Sequence, residues 1–275
     1  MKGILLFILL IVVIGVGVAT VDLANHHKES NKVGGENGTS IFNEDIVSQS
    51  LILHNNVWGA TEEEKNKTLK SYIYVTHNNS FGWEWDRPNP DYGLYYIPPI
   101  YPEAIIGVLP YSNNKSTSSY FPIKSKDIYY LTADINYQYI KPTTGDYNLA
   151  FDIYWMDPSD LSNKKSNVMI WIYGRLEDST PIKYVSDGTN EFEYHYRAPK
   201  DDQYWPWHAF ILKNQEKTNI TVNIKALLDQ LPEGSLNDKW TVQAIEFGSE
   251  IWKGSGRIKI DKYNINLNGN IITNK

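Results

Sequence analysis

This sequence has no cysteine. No disulfide can form, so the fold rests on its apolar core, and 275 residues are enough to bury one. Basic residues are few: 26 Lys and Arg stand against 32 Asp and Glu, for a net charge of −6. No basic stripe is visible, which argues against nucleic acid as a partner. Histidine is scarce as well. The adjacent pair His26 and His27 lies in a polar stretch, where solvation is the ordinary state and metal binding is not expected. No internal repeat and no internal domain boundary interrupt the chain, and one stretch alone carries helical periodicity. Neither a metal nor an organic cofactor is implied. These absences leave one large domain built from strands, preceded by a leader.

Aromatic residues are what the sequence has in quantity: 20 Tyr and 9 Trp. They favour strands and offer flat faces on which sugar rings stack, while any single Trp can equally belong to the core. At the N-terminus, Met1 and Lys2 precede an uncharged, mostly apolar run from Gly3 to Val21, with small residues at Gly17 and Ala19. That is the pattern of a signal peptide cut after Ala19. The run is also long enough for an uncleaved membrane anchor. Either way the domain is expected outside the cytoplasm. Residues 1–24 are assigned to the leader, 25–45 to a polar, Gly-containing linker and 46–275 to the domain. Sequons at Asn37, Asn66, Asn78, Asn114 and Asn219 offer glycan sites on an exported surface.

From Ile41 onward, short strand-like runs alternate with turn clusters. Leu69 to Thr76, Phe81 to Trp85, Ile128 to Tyr139, Tyr147 to Trp155, Asn167 to Tyr173 and Trp240 to Trp252 are among them. Such spacing predicts an all-β sandwich or barrel. Asn223 to Leu231 differs: Ile224, Leu227, Leu228 and Leu231 have helical spacing, Asn223 stands at the cap position, and Pro232 and Gly234 end the run. It is expected as the one helix, packed outside a sheet. The polar stretch from Asp157 to Ser166 reads as a loop between two strands.

Two of the strands carry the chemistry. Side chains two apart share a face, so Asn167, Met169 and Trp171 point one way, and Glu246, Gly248, Glu250 and Trp252 point one way. Aromatic strand faces with carboxylates among them suggest a sugar-binding groove with an acid in it. Cleavage of a glycosidic bond ordinarily takes two carboxyl groups facing each other across that bond. One strand offers Glu250; the other offers the amide of Asn167 where a second carboxylate is wanted.

Several motifs then fall in order: Asn55-Asn56-Val57-Trp58-Gly59, Phe81-Gly82-Trp83-Glu84-Trp85, Tyr101-Pro102-Glu103, Phe151-Asp152-Ile153-Tyr154-Trp155, Val168-Met169-Ile170-Trp171 and Phe247-Gly248-Ser249-Glu250. Together, from Asn55 to Ile265, they resemble glycoside hydrolase family 12, in particular its exported archaeal members. The resemblance implies a β-jelly roll of two stacked antiparallel sheets with a substrate cleft on the concave sheet. It also implies endo-cleavage of β-1,4-glucan with retention of configuration; a monomer acting without cofactor is expected. It places the acid/base on Glu250, the nucleophile position on Asn167, and a supporting carboxylate on Asp152. Trp58, at the end of the Asn-Asn-x-Trp motif with Asn56, is implied as a cleft residue. Trp83, Trp85, Glu103, Met169, Trp171 and Glu246 are the further residues expected to bind substrate, with Trp83 and Trp85 divided between stacking and core roles. An amide forms no ordinary glycosyl ester, so hydrolysis is expected to be slow unless Asp152 or Glu246 acts instead, or water attacks from the opposite face. The rival expectation is a catalytically impaired β-glucan-binding protein on the same fold.

Overall fold

A computed structural model describes residues 36–48, 50–88, 98–108, 116–176, 179–200 and 205–274. The expected leader, the pair His26 and His27, and the Asn114 sequon lie outside these residues. The strands in chain order are β1 Glu36–Thr39, β2 Asp45–Ser48, β3 Leu51–Asn56, β4 Lys70–Thr76, β5 Phe81–Arg87, β6 Tyr101–Gly107, β7 Ile123–Lys124, β8 Leu131–Lys141, β9 Asp146–Tyr147, β10 Leu149–Asp157, β11 Asp160–Tyr173, β12 Lys183–Ser186, β13 Glu191–Arg197, β14 Trp207–Leu212, β15 Asn219–Val222, β16 Thr241–Val242, β17 Ala244–Gly248, β18 Ile251–Leu267 and β19 Asn270–Thr273. Two short helices, α1 Glu62–Lys67 and α2 Ile224–Leu228, join them.

Among the described residues the strands form two sheets. The smaller runs β1-β4-β5-β18-β8-β15, and the larger runs β12-β13-β14-β11-β10-β17-β6-β3-β2. This is the expected all-β sandwich. One refinement concerns strand direction: β11 and β14 pair in parallel, with Asn167 beside Trp207 and Trp171 beside Ile211. Period-two alternation sorts side chains between the inter-sheet core and the outer face. On β10, Leu149, Phe151, Ile153 and Trp155 enter the large core, while Ala150 belongs to a separate apolar cluster on the other side. On β11, Val168, Ile170 and Ile172 face the core, and Met169 and Trp171 join Ala150.

Four expectations are corrected. Glu36–Thr39, placed in the polar linker by its composition, pairs with β4 as an edge strand, and Glu36 accepts hydrogen bonds from Arg257 at 2.6 Å. A second helix, α1, accompanies the expected one. Thr61 and Glu64 cap it reciprocally, Glu64 N–H to Thr61 Oγ1 at 3.1 Å and Thr61 N–H to Glu64 Oε2 at 2.9 Å. The stretch from Asp157 to Ser166 is no long loop, because β10 and β11 form a hairpin that turns at Pro158 and Ser159. Its polar residues extend past the core, so hydrophobic alternation disappears while pairing continues. Finally, Trp83 and Trp85 are 0% and 1% exposed in the inter-sheet core. They lie on β5 of the smaller sheet, facing inward, and neither lines the outer face of the larger one.

Candidate active site

The outer face of the larger sheet gathers polar side chains at its centre. Glu103, Asp152, Asn167 and Glu246 are all buried although they point away from the core. They come from four neighbouring strands in the order β11, β10, β17, β6. Asp152 lies opposite Met169 on one side and Glu246 on the other, and Glu103 lies opposite Gly248. Small residues make room between them. A Cβ at Gly248 would stand 2.9 Å from both the Glu103 Cβ and the Tyr101 ring, so glycine there lets these two side chains lean over β17.

Asn167 Nδ2 donates to Asp152 Oδ1 and, at 3.4 Å, to the Ile153 carbonyl. Asp152 thus lies against the side chain at position 167. Burial raises the Asp152 carboxyl to about 6, against the pull of the Asn167 amide, the Lys164 charge and the Tyr154 hydroxyl toward ionisation. Lys164 Nζ sits 3.9 Å from the centre of the Tyr154 ring and 5.0 Å from that of Trp205. Glu246 and Glu103 share a hydrogen bond, and both are raised, Glu246 well above the usual range, chiefly by burial. Two carboxyl groups bond to each other only with a proton between them, so this pair carries less than its full charge at neutral pH. Asn56 Nδ2 donates to Glu103 Oε1 at 3.0 Å, and Asn56 Oδ1 accepts from the Trp58 N–H at 3.1 Å. Trp58 itself is 60% exposed, at the outer end of this chain of contacts.

Glu250 follows β17 where the chain crosses to β18 in the other sheet. Its carboxylate accepts from Asn148 Nδ2 at 2.5 Å, and its N–H donates to Asn148 Oδ1 at 2.8 Å. Behind it, Trp83 Nε1 donates to Ser249 Oγ at 2.8 Å, so the core tryptophan braces this bend without touching the outer face. Burial pushes the Glu250 carboxyl up to about 8, and the negative charge of Asp152 adds to it, while Asn148 and Arg197 pull the other way. Trp171 and Trp252 lie beside the acids, ring centres 6.2 Å apart, with Met169 in the same apolar cluster.

The arrangement therefore sets Glu250, whose carboxyl burial raises, on the same sheet face as Asp152, with Trp171 and Trp252 alongside. Such a pair can protonate a leaving oxygen and support attack on the carbon it leaves. The sequence reading omitted Tyr101, Asn148, Tyr154 and Lys164. Tyr101 is buried among all four acids, its hydroxyl donating to the Ala150 carbonyl at 3.3 Å. Its place beside Glu103 in the Tyr-Pro-Glu motif was the available signal. Asn148 and Lys164 carried none, since one precedes a strand and the other lies in the misread hairpin.

The family model described as glycosyl hydrolase family 12 matches residues 49–268. Endoglucanase S from Pectobacterium parmentieri is 27% identical over 227 residues, 78% of this chain and 81% of that protein. A family 12 xyloglucanase from Bacillus licheniformis has the same fold, with a TM-score of 0.70 at 20% identity over 84% of this chain and 99% of its own. An endoglucanase from Rhodothermus marinus gives 0.68 at 18% identity over 86% and 99%.

Proposed function

The chain belongs to glycosyl hydrolase family 12, and on that premise we propose that it cleaves β-1,4-glucan chains internally, outside the cytoplasm, with Glu250 as proton donor. The observation that carries this reading is the placement of Glu250, held by Asn148 just past β17, on the sheet face where Asp152, Glu246 and Glu103 are gathered, with burial raising its carboxyl. A glutamic acid that keeps its proton at neutral pH can donate it to a leaving sugar oxygen. Trp58, Asn56, Met169 and Trp171 bind the sugar chain, and Glu103 and Glu246 hydrogen-bond its hydroxyls from the floor. Endoglucanase S, the relative named above, is by its name an endoglucanase, which favours internal cleavage. Export rests on Lys2 and the apolar run that follows it. Asn37, Asn66, Asn78 and Asn219 are all exposed and open to glycans. Because Asn167 carries no charge, turnover is slow beside that of a site with two well-placed carboxylates.

The test is release of reducing ends from soluble β-1,4-glucan by the purified chain. Slow but measurable release is expected, and Glu250→Gln should remove it by a factor of about 100 or more while glucan binding survives. Binding without release in the unmodified chain would leave a glucan-binding protein in its place.

A further inference from the structure

We propose that the corner of the smaller sheet where β8 begins and β18 turns into β19 is a second glucan-binding site, on which Tyr129 and Tyr130 stack sugar rings of the polymer away from Glu250. The choice of glucan rests on the hydrolase reading above; the site itself rests on how these tyrosines are held. Exposed aromatic residues scattered singly are ordinary. Here two are consecutive, 72% and 43% exposed, and they are fixed by a turn 138 residues beyond Tyr130. Asn268 and Gly269 form a two-residue hairpin turn between Leu267 and Asn270, with φ of 54° and 87°. Asn268 then commits its side chain and its N–H to the segment before β8. Its Oδ1 accepts the N–H of Tyr129 at 3.1 Å and that of Tyr130 at 3.0 Å. Its Nδ2 donates to the Asp127 carbonyl at 2.7 Å, and its N–H donates to the Tyr130 carbonyl at 2.9 Å. One turn residue thus locks the backbone of both tyrosines. Their side chains are left over: among the described residues neither hydroxyl has a hydrogen-bond partner, and neither ring packs on another aromatic ring.

A fixed backbone under unengaged rings suits a stacking platform. Binding ordinarily costs the ordering of the groups that make contact, and a backbone already held removes part of that cost. A pyranose presents C–H bonds on its face and hydroxyls at its edge; tyrosine meets both, with a flat apolar ring and a polar tip. The neighbours suit the same ligand. Thr132, two residues after Tyr130, lies opposite Asn266 of β18, and Asn266 lies opposite Ile271 of β19, which is 67% exposed. A hydroxyl, an amide and an aliphatic side chain therefore continue the outer face of the sheet from Tyr130. A protein partner needs more: two tyrosines and one isoleucine are few beside the roughly 20–30 residues a side of a stable protein interface. The corner is also remote from the acids. β18 begins at Ile251, directly after Glu250, and ends at Leu267, directly before Asn268; its 17 residues span on the order of 50 Å when extended. The tyrosines therefore hold polymer and not the bond being cut. A long chain held there is presented to the Glu250 site at raised local concentration, whereas an oligosaccharide too short to reach both places is not.

Two measurements on the full chain test this. Retardation in gels containing soluble β-1,4-glucan, with Glu250→Gln present so that the polymer survives, reads binding. Reducing-end release with Glu250 intact, from the polymer and from a short cello-oligosaccharide, reads use. Tyr129→Ala combined with Tyr130→Ala should weaken retardation about 10-fold and slow release from the polymer, with release from the oligosaccharide unchanged. Asn268→Gly keeps the left-handed turn but removes the amide that holds the two tyrosines; it should weaken retardation too, again without changing oligosaccharide cleavage. Trp58→Ala should leave part of the retardation in place. Undiminished retardation in the double tyrosine variant, or a loss of oligosaccharide cleavage equal to the loss on polymer, would overturn the proposal and leave the hydrolase reading intact. A parent chain that elutes as a dimer on size exclusion, and a double variant that elutes as a monomer, would assign the corner to a second copy of this chain and overturn it as well. A parent chain that neither cleaves nor is retarded would remove both readings.

Discussion

Asn167 differs from a glutamate by a methylene and a charge, and the charge is what reorganises its neighbours. As an amide it donates to Asp152, where a glutamate would repel it or share a proton with it. Restoring the carboxylate should restore a nucleophile at this position. We expect Asn167→Glu to raise the rate on β-1,4-glucan on the order of 100-fold. Reducing-end release by the two chains under the same conditions checks this. An unchanged rate would mean that position 167 lies away from the reacting carbon. The pH profile of the unmodified chain belongs to the same scale. Loss of the Asp152 charge bounds it at low pH and loss of the Glu250 proton at high pH, so kcat/KM should rise through about 6 and fall through about 8.

At the scale of elements, the bend that carries Glu250 is fastened from beneath by one arginine. Arg87 ends β5 and is 0% exposed. Its guanidinium donates to Glu64 Oε1 at 2.9 Å, to the Pro98 and Ile251 carbonyls at 2.8 Å each, and to the Gly59 carbonyl at 3.2 Å. Helix α1, the segment carrying Trp58 and the start of β18 are thereby tied at one point, next to Glu250. A buried pair deprived of one member leaves an uncompensated charge, a loss of about 3–5 kcal/mol. Arg87→Met should therefore lower the thermal midpoint by ~10 °C or more. Adding Glu64→Gln should recover part of that loss. A single mutant as stable as the parent would show that the four contacts are dispensable.

For the molecule as a whole, the buried acids set a stability gradient with pH. The Glu250 carboxyl titrates at about 8 in the folded chain and at about 4.3 when unfolded. Between these values the native state holds a proton that the unfolded state has lost, so stability falls as pH rises through this window. Glu103 and Glu246 are raised in the same direction. Glu250→Gln, an isostere with no charge to desolvate, should melt several degrees above the parent at pH 8, on the order of 1–3 kcal/mol, and close to it at pH 4.5. Calorimetry at the two pH values checks this, and a gap that widens toward acid pH would contradict the sign.

What the sequence determined by itself is whatever depends on periodicity and on short motifs. The sandwich, the α2 cap at Asn223 and the outward parity of Asn167, Met169, Trp171 and Glu246 all follow from local spacing, because a strand sorts its faces every second residue. The capping box that starts α1 was also legible in Thr61 and Glu64, though six polar residues gave no apolar stripe to draw attention to it. What only tertiary structure decided is which of two faces a strand turns inward. Trp83 and Trp85 have the same alternation as a cleft strand, yet pairing of β5 with β4 and β18 puts them in the core. The same holds for the acids. Parity says that Asp152 and Glu246 face one way, but their placement side by side, and the contacts that load protons onto one and strip them from the other, come from register between strands distant in the chain. Charge in a recess is set by every neighbour at once, and no single stretch of sequence contains those neighbours.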